Sequence, residues 1–174
     1  MADQAQIDEL KQKMAEERDR LLGVLERLPD EEAGLPTTGE GEWSAKQQMS
    51  HLCEMETAYR AWVAKALQED GADLDNVRGE RPGIPLEEAQ QHSVGEHVGE
   101  MLAQRQKTLA LIDSMSPADF DRKATQRMFG TLTVMQWLRS YYRHDRMHLD
   151  QVRGVEPEYK PKFAGGKEPD QRRG

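Results

Sequence analysis

The chain has 174 residues, 36% of them hydrophobic and 32% charged, with a formal net charge of -8. That length fits one domain with a single sizeable core, and the acidic balance excludes the broad Lys/Arg surface that a nucleic-acid partner requires. No stretch approaches the run of about 18 apolar residues that a membrane span needs, and MADQAQIDELKQKMAEERDR is charged from its start, so neither span nor signal peptide is expected and the predicted location is cytoplasmic.

From about Gln6 to Leu28 the residues Ile7, Leu10, Met14, Leu21, Leu22, Leu25 and Leu28 recur at helical spacing among charged neighbours, which predicts an amphipathic first helix. LPDEEAGLPTTGEGEW is rich in turn formers and reads as a loop ending at Trp43. Ser44, with Gln47 three residues on, has capping-box spacing and opens a second helix. Its stripe of Leu52, Met55, Tyr59, Trp62, Val63 and Ala66 carries His51 on its edge and stops at EDGADLDN. VRGERPGIPLEE reads as a long connection, and a third helix is expected from about Pro85 to Met115 on Val94, Val98, Met101, Leu102, Leu109 and Ile112.

SPADFDRKATQRMFG predicts a short capped turn, Ser116 before Pro117, and then a polar connection. Thr131 or Thr133 opens a fourth helix whose stripe is Val134, Trp137, Leu138, Tyr141, His144, His148 and Val152, ending near Gly154. Residues 155–174 lack a helical period and predict an extended or poorly ordered tail. There is no repeat and no strand of convincing alternation. The fold class is therefore all-α, a four-helix bundle over residues 1–154 with long inter-helix loops and an irregular C-terminal tail.

His144 and His148 continue the apolar stripe of the fourth helix and so point inward. Cys53 is the only cysteine, which removes any intrachain disulfide or cysteine-rich zinc site. Two inward histidines need a third donor to hold a divalent ion; His51 is the natural candidate, and His97, one turn from Met101, is its rival. The alternative is that these histidines are buried and satisfied by neighbours. Glu54, three residues after His51, is a candidate fourth ligand or base, against the commoner solvated carboxylate. Gln151 shares the histidine face and suits a hydrogen bond to a ligand or a helix-end position. Tyr141 and Tyr59 read as packed aromatics. Cys53 lies about 200° around the helix from His51 and reads as packing. His92 reads as a surface residue and the methionines as adaptable core filling.

EWSAKQQMSHLCEMETAYRAWV resembles the second-helix pattern of the DinB/YfiT-like proteins, where Trp-Ser opens a helix and a ligand histidine follows about two turns later. HDRMHLDQV resembles their last-helix pattern, H-x-x-x-H followed by x-x-Gln. In helix order and loop placement the resemblance spans most of residues 6 to 153. It implies a four-helix bundle, often dimeric, with a divalent metal on three histidines, which fall on His51, His144 and His148. Zinc or nickel is the expected ion, with iron or manganese as alternatives. The resemblance also implies a metal-dependent enzyme that activates a low-molecular-weight thiol or water, as an S-transferase or hydrolase does, and a homodimer. The rival expectation is a non-catalytic bundle that binds metal or a small ligand and acts through its dimer. Asp150 stands where many members carry a small glycine between the last histidine and Gln, a departure that bears on substrate more than on metal.

Overall fold

The computed structural model describes residues 1–37 and 43–159; the expectations for the rest of the Trp43 loop and for most of the tail lie outside the described residues. Four long helices carry the fold: α1 (Gln4–Leu25), α3 (Ala45–Gln68), α4 (Val94–Asp113) and α5 (Val134–Arg153), with a one-turn α2 (Asp30–Ala33) between the first two. Their starts are written in the sequence. Asp3, Ser44, Ser93 and Thr133 each accept from the backbone N–H three residues on and receive a Gln or Glu side chain in return, which satisfies amide groups that the first helical turn leaves unpaired. Gly154 ends α5 at φ 71°, in the left-handed region that glycine adopts without a side-chain clash.

The third helix starts later than its periodicity predicts. Leu86–Gln91 is a 3-10 segment, His92 is extended, and α4 begins only after Ser93. The Ser93/Glu96 capping box supplies the reason, because it fixes a new helix start that the apolar spacing runs through.

Contacts define the direction of each helix. His51, Tyr59 and Trp62 of α3 meet His148, Tyr141 and Trp137 of α5, an antiparallel order. Arg105 of α4 bonds the Met14 carbonyl while Arg18 of α1 bonds that of Met101, so α1 and α4 are antiparallel too. Asp30 reaches both the first turn of α4, at Val94 N, and Lys46 in the first turn of α3. Arg105 pairs with Glu56 and Arg60 with Thr108, so α3 and α4 run parallel, as do α1 and α5. A parallel neighbour demands a long return connection, and residues 69–93 provide it.

That return is pinned along its length. Trp62 Nε1 donates to the Val77 carbonyl at 2.9 Å, Glu54 accepts from Leu86 N at 3.0 Å, and Glu100 accepts from Gly83 N at 2.9 Å. At Gly79 the strap lies so close to α3 that a Cβ would sit 2.4 Å from the Thr57 carbonyl carbon, so only glycine fits there.

A small three-stranded sheet, which no alternation in the sequence announces, closes one end of the four-helix bundle. β1 (Ala72–Asp73) runs parallel to β2 (Lys123–Gln126), which runs antiparallel to β3 (Gly130–Thr133) in the register Ala124↔Leu132. In β2 only Ala124 and Gln126 face inward, so the strand is too short and too polar to show alternation, and its ladder joins residues some fifty positions apart. The capped turn that the sequence predicts before it is the 3-10 segment Pro117–Asp121, in which Asp119 accepts from Ser116 N. Beyond α5, Val155 N bonds Asp150 O and Glu158 pairs with Arg146, so the described part of the tail folds back over the last helical turns.

Two apolar clusters fill the bundle: one around Trp62, Phe120, Trp137 and Tyr141, the other around Leu21, Leu25, Met49, Leu52 and Met101. Between them lies a polar layer with one residue from each long helix. Arg18, Glu56, Arg105 and Asp145, all buried, join in ion pairs of 2.8 to 3.0 Å. Burial works to raise the Asp145 carboxyl, but the Arg18 and Arg105 guanidiniums outweigh it and hold that group below the usual carboxylate range.

Candidate metal centre

The inward helix faces bring His51 together with His144 and His148. All three are buried, at 2%, 5% and 1% exposure, and each offers a ring nitrogen within 4.8 Å of the other two. Ring centroids are 5.1 Å apart for His51–His144, 5.3 Å for His51–His148 and 4.6 Å for His144–His148. The Nε2 atoms of His144 and His148 approach to 3.0 Å. Three imidazole nitrogens converging on one point, two from adjacent turns of α5 and one from α3, form a donor set that suits a divalent transition metal.

Two groups brace this set. Gln48, one turn before His51 on α3, holds His148 Nδ1 at 2.9 Å through its side-chain oxygen. Trp43, at the foot of the loop entering α3, lies with its ring 4.6 Å from that of His51. Sequence reading missed Gln48. Its signal was its position three residues before His51, on the same helical face, but a glutamine near a helix start reads as solvent-facing.

The other candidates go elsewhere. His97, the rival third ligand, is tied through Nε2 to the Ala89 carbonyl at 2.8 Å, where it fastens the end of the 3-10 segment to α4. His92 lies beside Glu96 at the helix surface. Glu54 is engaged by Leu86 N, so it secures the strap instead of facing the histidines. The Tyr141 hydroxyl donates to the Glu56 carbonyl at 3.3 Å, and burial, reinforced by the Glu56 charge, pushes its pKa far up. Tyr59 packs between Trp62 and Tyr141. Gln151 is buried on the inner side of α5. Cys53 is packed among Leu21, Met49 and Met101, and burial drives its thiol far above the ordinary range.

Neither described cavity is built around the cluster. A small void among His144, Tyr59, Tyr141 and the buried ion pairs has a volume of about 10 Å³, too little for more than a water. A cleft of about 300 Å³ lies under the strap, lined by Trp62, Val77, Gly79 and Met128, and includes no histidine. No helix of the described residues is long and apolar enough to cross a membrane.

Fold and site together define a helical bundle with a buried three-histidine cluster between its third and fifth helices. The chain belongs to the DinB superfamily, whose family model matches residues 13–152. Among curated proteins it is similar to the uncharacterized protein YuaE of Bacillus subtilis, 25% identical over 142 residues that cover 75% of this chain and 87% of YuaE. Among solved structures it is similar to YfiT of Bacillus subtilis, reported as a probable metal-dependent hydrolase with an unusual four-helix bundle topology. That match has a TM-score of 0.69 at 17% identity and covers 88% of this chain and 87% of YfiT. A mycothiol-dependent maleylpyruvate isomerase matches with a TM-score of 0.67 at 12% identity, over 86% of this chain but 61% of the isomerase. At these identities the structures establish the shared fold.

Proposed function

We propose that His51, His144 and His148 hold one divalent ion, zinc or nickel before iron or manganese, and that the protein is a metal-dependent enzyme acting on a low-molecular-weight thiol or on water. The observation that carries this reading is the convergence of three buried ring nitrogens within 4.8 Å. The descriptions of YfiT as a probable metal-dependent hydrolase and of the isomerase as mycothiol-dependent support it. An ion in such a site supplies Lewis acidity that favours the deprotonated form of a thiol or water.

The chain's own residues divide the remaining work. The three histidines would hold the ion, Gln48 fixes the His148 ring, and the Trp43 ring covers one side of His51. Cys53 is buried in the core with its thiol protonated, so a thiol cosubstrate comes from outside. We propose a homodimer, which the family resemblance implies; a monomer mass in light scattering at micromolar concentration refutes it.

A second reading is favoured by a specific observation: Glu54, the candidate base, is engaged away from the histidines. In that reading the bundle binds metal or a small ligand without turnover. Elemental analysis of purified wild type beside His148→Ala tests the centre, with near-stoichiometric metal expected only in the wild type. The two readings separate on assay of metal-loaded protein with common thiols, a panel of electrophiles and activated esters. Turnover that disappears in His148→Ala supports the enzyme; full metal occupancy without turnover supports the binder.

A further inference from the structure

We infer that Gln48 is a positioning residue: by accepting from His148 Nδ1 it selects the tautomer that turns Nε2 into the histidine cluster, and so sets how tightly the centre holds its ion. This inference rests on the metal-centre reading. Gln48 is buried, and its Nε2 lies 2.7 Å from Thr37 Oγ1 and 3.4 Å from the Trp43 carbonyl oxygen. Thr37 Oγ1 donates to that same carbonyl at 2.7 Å. A carbonyl oxygen only accepts, so the NH₂ end of the amide must face this neck of the loop and the oxygen end must face His148.

An amide oxygen has no proton to give. The 2.9 Å contact therefore places the hydrogen on His148 Nδ1, and in the neutral ring Nε2 is left with its lone pair. Nε2 is the atom that lies 3.0 Å from His144 Nε2, inside the cluster. The opposite tautomer would aim a hydrogen at the point where the donors converge. Partners of this kind, one bond behind a ligand, change metal affinity by about 10- to 100-fold. The same glutamine also joins the centre to the Thr37–Trp43 neck, which is itself closed by the Thr37 N to Trp43 O bond and the Pro36–Ser44 bridge.

The two ends of the amide allow a decisive pair of variants. Gln48→Glu keeps an acceptor for Nδ1 and loses the donor to the neck; Gln48→Met keeps the length and loses both. Zinc affinity is measured by competition with a chromogenic chelator at pH 8 on the full chain, and the His148 tautomer by long-range nitrogen–proton spectra before and after chelator dialysis. Gln48→Met is expected to bind zinc about 10- to 100-fold more weakly, while Gln48→Glu binds as tightly as wild type or more so. Equal losses in the two variants mean that Gln48 merely holds the neck, and overturn the inference. A hydrogen on Nε2 of His148 in chelator-treated wild type overturns it as well, whatever the variants do. If wild type takes up no zinc, the metal reading fails and the affinity claim with it. The tautomer spectrum, read without metal, then shows separately whether Gln48 controls His148.

Discussion

The bundle buries two polar assemblies within one helical turn of each other, and they solve the problem of burial in opposite ways. Arg18, Glu56, Arg105 and Asp145 contribute one residue from each long helix, two cations against two anions, and Arg18, Arg105 and Asp145 each bond in several directions. The histidine cluster draws on α3 and α5 alone and contains no acid among its three members. His144 and Asp145 are sequence neighbours, yet one belongs to each assembly. A buried set that cancels its own charge is complete as folded and acts as framework. A set of converging ring nitrogens with no acid among them does not balance itself in this way, which is the contrast the proposed metal centre rests on.

The largest expected effect comes from breaking the self-neutralised set. Asp145→Leu leaves two guanidiniums short of partners in the core and should cost about 3–5 kcal/mol in urea denaturation. Replacing all four members together, with Arg18→Met, Glu56→Leu, Arg105→Met and Asp145→Leu, should recover most of that loss, because no uncompensated charge remains. A quadruple variant as unstable as the single one would show that the pairs hold the helices by more than mutual neutralisation.

Removing a histidine tests the opposite behaviour, stability that depends on a ligand. Wild type at a free metal concentration 100 times its Kd should gain about 2.7 kcal/mol, read as a higher melting temperature, and His51→Ala should gain almost none. A metal-induced shift of equal size in the two proteins would remove His51 from the centre and leave a two-histidine face on α5.

Acid separates the framework from a third buried group. Asp145 titrates below its unfolded value of about 3.9, so its contribution is fully present above that pH and is lost as pH falls through the lower folded value. The Asp145 contribution is accordingly level between pH 7 and pH 5. His97 differs: burial lowers its pKa, with His92 and Lys46 adding to the effect and the Ala89 carbonyl and Glu96 opposing it. Its neutral form is favoured in the fold, so stability is present above about pH 6.5 and declines as pH falls below it. In chelator-treated protein, His97→Gln should flatten the melting profile between pH 7 and pH 5. A slope unchanged by the substitution would assign the acid sensitivity elsewhere.

The smallest effect is an expected silence. Cys53 lies in the apolar cluster with its thiol pKa pushed far up by burial, so thiol reagents should label the folded chain slowly and the urea-unfolded chain at once. Rapid labelling of native protein, with zinc or without, would reopen a role for this cysteine that its packing denies.

Much of this molecule was determined locally. Apolar spacing alone identified the helices, the cap at Ser44 and the stop at Gly154 marked two of their ends, and one helical turn between His144 and His148 on the Trp137–Tyr141 stripe made both face inward, while the choice of Thr133 over Thr131 as the cap of α5 came from the structure. His51 needed the family pattern as well, since periodicity left it at the edge of its stripe. The start of α4 is marked locally too, by Ser93 and Glu96 at capping-box spacing, but the apolar period runs through that cap and hides it.

Other features had no local trace that could be weighed. Arg18 stands one turn after Met14, Glu56 one after Leu52, Arg105 one after Met101 and Asp145 one after Tyr141, so each charge occupies core register on its own helix. From a single segment such a residue reads as an interruption of the apolar face, because burying a charge is prohibitive until its partner is known. The partners lie far away in the chain, 127 residues from Arg18 to Asp145 and 38 from Arg18 to Glu56. The parallel pairing of α3 with α4, the β1–β2 ladder and the Gln48–His148 contact depend on distant residues in the same way. Helical period and capping are fixed by dihedral angles and hydrogen bonds within a few residues, so the sequence by itself determined them. Which charge meets which, and which amide turns a histidine toward its neighbours, depends on where separate segments come to rest, and only the tertiary structure decided it.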